Sequence, residues 1–75
     1  MARTRSKVGR NIRKLREARG WSGAELARRV RLTRGGVWAI EVGNVKPPLA
    51  TMERFANALG VSLSEIIPMG PQRAA

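Results

Sequence analysis

The side chains best equipped for chemistry in this sequence are cations, and they are unevenly placed. Residues 1–34 carry Arg3, Arg5, Lys7, Arg10, Arg13, Lys14, Arg16, Arg19, Arg28, Arg29, Arg31 and Arg34 against only Glu17 and Glu25. In the remainder Lys46, Arg54 and Arg73 balance Glu41, Glu53 and Glu65, so the formal charge of +10 resides in the first half. A one-sided charge of this kind suits a polyanion, because each neutralised phosphate releases condensed counterions and yields affinity without sequence information. A solvated basic face that aids solubility is the plainer alternative, although balanced charge would serve that purpose as well. Enzyme chemistry has little to stand on. Cysteine and histidine are absent and the five glutamates are spread singly, whereas an acid-base pair or a metal site needs clustered carboxylates, imidazoles or thiolates. No catalysis, metal, cofactor or small-molecule ligand is expected.

A small fold must position these cations. Seventy-five residues make one domain with a thin core, in which self-association is an expected source of extra stability. No run of about 18 uncharged apolar residues could span a bilayer. The beginning of the chain lacks the apolar stretch of a secretion signal, and without cysteines there are no disulfides, so an intracellular location is the expectation.

Along the chain, residues 1–7 alternate Arg or Lys with small residues and read as a flexible basic arm. Val8, Ile12, Leu15 and Ala18 fall on one helix face and Gly20 closes it, predicting a first helix over about 8–19. Ser22 and Glu25 form a capping box for a second helix running through about Val30, with Leu26, Ala27 and Val30 turned inward. Trp21, between these helices, reads as a core or staple residue. After Arg31 and Leu32, Thr33 is an N-cap for a third helix over about 34–42, packed through Val37 and Ile40. Gly35 and Gly36 each cost that helix roughly 1 kcal/mol relative to alanine, so packing must hold it. Gly43 to Pro48 is a turn. Met52, Phe55, Ala56 and Leu59 define a fourth helix from Leu49 to Leu59, ended by Gly60. Ser62 and Glu65 form another capping box, before Ile66 and Ile67, in a short fifth helix closed by Pro68. Met69 to Ala75 reads as a tail. The expectation is a compact all-α domain of five short helices over residues 8–68, with no strands and no repeats.

Helices two and three, joined by a tight turn in a basic domain, follow the helix-turn-helix plan. The runs NIRKLREARGWSGAELARRV, TRGGVWAIEVG and PPLATMERFANALGVSLSEII resemble the lambda-repressor and Cro-like (XRE-type) helix-turn-helix family of bacteria and phages, over about residues 8–68. The resemblance implies a cytoplasmic, nucleoid-associated regulator of transcription that binds double-stranded operator DNA as a homodimer, with the third helix in the major groove. It places Arg34, Gly35, Trp38 and Ala39 at positions that reach base edges. It also places Ser22 and Gly23 at a phosphate contact, and Asn44 and Lys46 in a loop that touches the backbone. Gly23 departs from the pattern, since a Gln is common there, and leaves only backbone N–H groups to hold a phosphate. For Lys46 a merely solvated lysine is the alternative. Glu41 matches a family Glu that pairs with an Arg of helix one, here Arg16. Dimers in this family often pair through the C-terminal part, here Leu63, Ile66, Ile67 and Met69, some of which must serve the monomer core.

A helical wheel with Val37 and Ile40 buried turns Gly35, Trp38, Ala39 and Val42 outward, with Arg34 at the edge. This face is nearly apolar. Arg34 is its one obvious hydrogen-bonding reader, with guanine O6 and N7 as natural partner, while Trp38, Ala39 and Val42 suit thymine methyl groups. Arg3 and Arg5 would add minor-groove or phosphate contacts. Three roles for Trp38 stay open: reading DNA, binding a protein partner, or packing on its own scaffold. The regulator itself reads most simply as a repressor. A restriction-modification controller, an antitoxin-type regulator and a protein-interaction module using the Trp38 face are the alternatives.

Overall fold

The computed structural model describes residues 3–68. Four α-helices follow in order, α1 (Arg3–Ala18), α2 (Gly23–Val30), α3 (Arg34–Glu41) and α4 (Leu49–Leu59), and a 3-10 turn at Leu63–Glu65 ends the series. No strand occurs among the described residues. Two expectations change. Helix α1 begins at Arg3 instead of about residue 8. Arg and Lys are good helix formers, and no Gly or Pro interrupts this stretch. The fifth helix is reduced to the 3-10 turn: the Ser62 hydroxyl pairs with Ser64 at 2.9 Å and caps nothing, and Pro68 leaves too little chain for a full α-turn. The tail from Met69 lies outside the described residues.

Local chemistry sets the helix ends. The Ser22 hydroxyl accepts the Glu25 N–H at 3.0 Å and the Thr33 hydroxyl accepts the Gly36 N–H at 2.9 Å, satisfying donors that each helix start leaves unpaired. Glu25 does not close a capping box, because its carboxylate takes Arg28 at 2.5 Å and Arg29 at 2.7 Å. At the other ends α1 to α4 share one closure. A residue at positive φ follows each helix, directly after α2 and α4 and one residue further on after α1 and α3, and the next N–H reaches back to a carbonyl near the helix end: Trp21 to Arg16, Leu32 to Ala27, Asn44 to Ala39 and Val61 to Ala56. Gly20, Gly43 and Gly60 take this conformation without a Cβ penalty; at the end of α2 it falls to Arg31, with φ 62°.

The core forms where these helices turn their apolar stripes toward one another. Ile12, Leu26, Val30, Val37, Phe55, Leu59 and Ile66 are fully buried, each contributing roughly 1.5–3 kcal/mol over an exposed position. Helix α2 packs between α3 and α4, and α1 packs mainly on α3. Two polar contacts lock the periphery: Asn11 Nδ2 donates to the Ile66 carbonyl at 3.0 Å, and Arg19 donates to the Leu59 carbonyl. Where α1 crosses the end of α3, Gly9 is buried against backbone, and a Cβ there would fall on the Ile40 carbonyl oxygen and 2.5 Å from that of Glu41. Only glycine allows this approach.

Candidate nucleic-acid interface

The α1 to α3 contact carries a two-pronged ion pair. Arg16 Nε donates to Glu41 Oε2 at 2.7 Å and Arg16 Nη2 to Oε1 at 3.1 Å, while Nη1 donates to the Trp21 carbonyl at 2.8 Å. Only 14% of the Arg16 side chain and 8% of the Glu41 side chain remain exposed. The hydrogen bond to Glu41 raises the Arg16 pKa above its ordinary value, and it outweighs the opposing effect of burial. Arg16 therefore stays charged at any working pH, and the planar fork fixes α3 against α1 and the start of α2.

This pair sits beside an open cleft between the N-terminal ends of α2 and α3. Ser22, Gly23 and Ala24 form one side of it, and Arg34, Gly35 and Trp38 the other. Both helix starts therefore present backbone N–H groups and the positive end of a helix dipole to the same space. The Ser22 hydroxyl is exposed but already used as a cap, so the backbone of Gly23 and Ala24 is what this corner offers an anion.

Helix α3 divides as the wheel requires. Val37 and Ile40 are buried, at 1% and 5% exposure, and Trp38 is 60% exposed. Trp38 is therefore not enclosed by its own scaffold. Val42 is also exposed, and Arg34 and Gly35 are exposed at the start of the helix. A Cβ at Gly35 would meet nothing within 4 Å, so that position is an open shelf beside Trp38. Ala39 is half-buried, its carbonyl taken by the N–H groups of Asn44 and Val45 at 2.9 and 3.3 Å. These bonds hold the following loop against α3, where Asn44 and Lys46 are exposed.

Other expected site residues are distributed differently. Arg3 and Arg5 stand on the first turn of α1. Ile66 is enclosed at 0% exposure in the monomer core, so it is not free to meet a second copy; Leu63 and Ile67 pack against that core while keeping part of their surface exposed. Met69 is outside the described residues. Two contributors escaped sequence reasoning. Gly9 carries the crossing that seats α3, and its only sequence signal is a glycine inside a helical pattern. Arg29 stacks its guanidinium 4.0 Å from the Trp21 ring centroid, covering that half-buried side chain with a cation. Trp21 itself packs against the core as expected.

A helix-turn-helix domain family profile matches residues 7–66, the span that contains α2, the turn and α3. The chain is 35% identical over 54 residues to the SPbeta prophage-derived HTH-type transcriptional regulator YonR of Bacillus subtilis, covering 72% of this chain and 50% of that protein. It is also 35% identical over 60 residues to the immunity repressor protein of Bacillus phage phi105, covering 80% of this chain and 42% of the repressor. It thus spans about half the length of these curated relatives. Among solved structures, the restriction-modification controller protein C.AhdI of Aeromonas hydrophila superimposes with a TM-score of 0.78 at 33% identity, covering 81% of this chain and 92% of the controller. Fold and site together define a helix-turn-helix domain. The chain belongs to the helix-turn-helix DNA-binding family of the lambda-repressor and Cro type, a family of transcription regulators and not of enzymes. No helix among the described residues is long and apolar enough to cross a membrane.

Proposed function

We propose that this chain is a sequence-specific transcription regulator of the bacterial or phage cytoplasm, a homodimeric repressor that lays α3 in the major groove of a two-fold symmetric operator. The observation that carries the proposal is the shared cleft, where two helix starts, the Arg34 guanidinium and an exposed Trp38 face one space while the opposite side of α3 is consumed by the core. In this reading the N–H groups of Gly23 and Ala24 hold one phosphate, and Asn44 and Lys46 hold the next stretch of backbone. Arg34 reads guanine from the start of α3, and Trp38 with Val42 contacts thymine methyls. The shelf at Gly35 lets the helix backbone approach the groove closely. The basic turns of α1, with Arg3 and Arg5, add phosphate contacts. A second copy pairs through the C-terminal region, using the exposed parts of Leu63 and Ile67 together with Met69.

One observation favours a second reading, a restriction-modification controller: similarity to C.AhdI extends over 92% of the controller's chain. Selection of bound duplexes from a random library at near-physiological salt tests the proposal, because counterion-driven binding fades there and specific binding survives. An enriched palindrome with half-sites about one helical turn apart is expected. Arg34→Ala should then cost roughly 1–3 kcal/mol and relax specificity at one base pair. Tight binding at low salt with no enrichment would refute base reading by α3 and turn the Trp38 face into a protein-binding patch.

A further inference from the structure

A second basic site lies at the other end of α2. Arg29 and Arg31 from the end of that helix, and Arg54 and Asn57 from α4, surround an open cleft whose walls are completed by Val30 and Ala58. No carboxylate lines it. Arg54 is held in place by donating to the Val30 carbonyl at 2.9 Å, and Arg29 is held by Glu25 and by the Trp21 ring. Cations fixed in this way lose little rotamer freedom when they take an anion.

Arg31 adds an independent observation. It is the one described non-glycine residue at positive φ, in a closure that glycine provides at the ends of the other helices. A glycine would relieve the left-handed backbone, so the arginine is kept at a conformational cost, and such outliers point to function. What it supplies is a third fork of N–H donors on the cleft.

The position of the cleft indicates the kind of ligand. Helix α2 has eight residues and is about 12 Å long at 1.5 Å per residue. If its start holds a phosphate end-on, as in the proposed function on which this step rests, its far end points away from the duplex. The ligand is then not the operator. Val30 and Ala58 give apolar contact beside the arginine forks, and Asn57 can both donate and accept, which suits a peptide with acidic side chains better than a bare phosphate strand. We infer that the cleft between the end of α2 and α4 binds an acidic segment of a protein partner while α3 remains free for DNA.

The test uses the full chain and a fluorescein-labelled ten-residue polyglutamate peptide, read by anisotropy at about 0.15 M salt, where distant charges are screened. Arg31→Gly should weaken peptide binding tenfold or more, and Arg54→Gln, which keeps a donor for Val30, should weaken it several-fold. Lys14→Ala, an equal loss of charge elsewhere on the surface, should change it less than twofold. Saturating duplex DNA should leave peptide binding unchanged. The inference is overturned if the wild-type chain does not bind the peptide, if Arg31→Gly and Lys14→Ala lose equally, or if duplex displaces the peptide. An equal loss of duplex and peptide binding in Arg31→Gly would also overturn it, since the cleft would then serve phosphates. The DNA-free arm needs no operator, so its failure is separate from failure of the DNA reading.

Discussion

Replacing Gly9 with alanine adds one carbon where α1 crosses the end of α3. That carbon would fall on the Ile40 carbonyl oxygen and lie 2.5 Å from the Glu41 oxygen and 2.8 Å from the Glu41 carbonyl carbon, whereas ordinary contact begins near 3.4 Å. The obstacles are backbone atoms and cannot rotate away. Relief therefore requires α1 to withdraw by roughly 1 Å, a gap that forfeits a quarter to a half of the dispersion attraction across the contact. The same withdrawal stretches the Arg16–Glu41 pair, which bridges these two helices at 2.7 Å. Overpacking costs about 1–3 kcal/mol or more, and damage to the ion pair moves the penalty to about 3–4 kcal/mol. Alanine returns about 1 kcal/mol through its better helix propensity. The net destabilisation is about 2–3 kcal/mol, or roughly 10–20 °C in Tm for a domain of this size. Circular dichroism at 222 nm during heating and urea titration measures it. Gly35→Ala is the matched control, since its new Cβ meets nothing within 4 Å, and it should stabilise by up to about 1 kcal/mol. A Gly9→Ala protein as stable as the wild type would refute the close crossing.

Three further outcomes follow from polar contacts. Glu41→Ala leaves the Arg16 guanidinium largely buried with only the Trp21 carbonyl, and should cost about 3–5 kcal/mol in urea unfolding; a double-mutant cycle with Arg16→Met should return most of it. Arg31→Gly removes a left-handed arginine and should raise stability by about 0.5–1 kcal/mol after the added chain entropy of glycine, seen as a higher urea midpoint at unchanged m-value. Glu25 has its pKa lowered by hydrogen bonds from Arg28 and then Arg29. A lowered native pKa means stability present above the unfolded carboxylate value, about 4.3, and lost as pH falls through the native one. Urea midpoints of wild type and Glu25→Gln should differ at pH 7 and converge as pH falls below the unfolded carboxylate value. Parallel profiles would show that Glu25 contributes nothing.

The parts of the fold visible in the sequence are those governed by neighbours along the chain. The Met52, Phe55, Ala56 and Leu59 spacing places α4 as found, and each of these side chains is buried. Ser22 and Thr33 cap α2 and α3 because a hydroxyl can reach the N–H three residues on without tertiary help. What escaped depends on contacts distant in sequence. Gly9 is legible only as a glycine in a helix until the carbonyls of Ile40 and Glu41 are beside it. The basic run before Val8 gave no apolar period, yet the good helix propensity of Arg and Lys lets α1 extend through it without one. Ile66 looked available to a second copy because nothing local says that the core extends beyond α4. The Arg16–Glu41 bond joins residues 25 apart, and family resemblance suggested it where spacing alone does not. The Glu25 arginine bonds lie three and four residues away, and were obscured by the competing capping-box pattern.

The two tryptophans occupy opposite environments. Trp21 is half-buried beneath the Arg29 guanidinium, and Trp38 stands 60% exposed on the cleft. The domain therefore carries two intrinsic fluorophores with separate duties. Emission from Trp21 follows unfolding, while emission from Trp38, red-shifted in the free protein, shifts to shorter wavelength or is quenched when a macromolecule covers α3. With Trp21→Phe, occupancy of the cleft is readable without a label, under the same conditions in which stability is titrated.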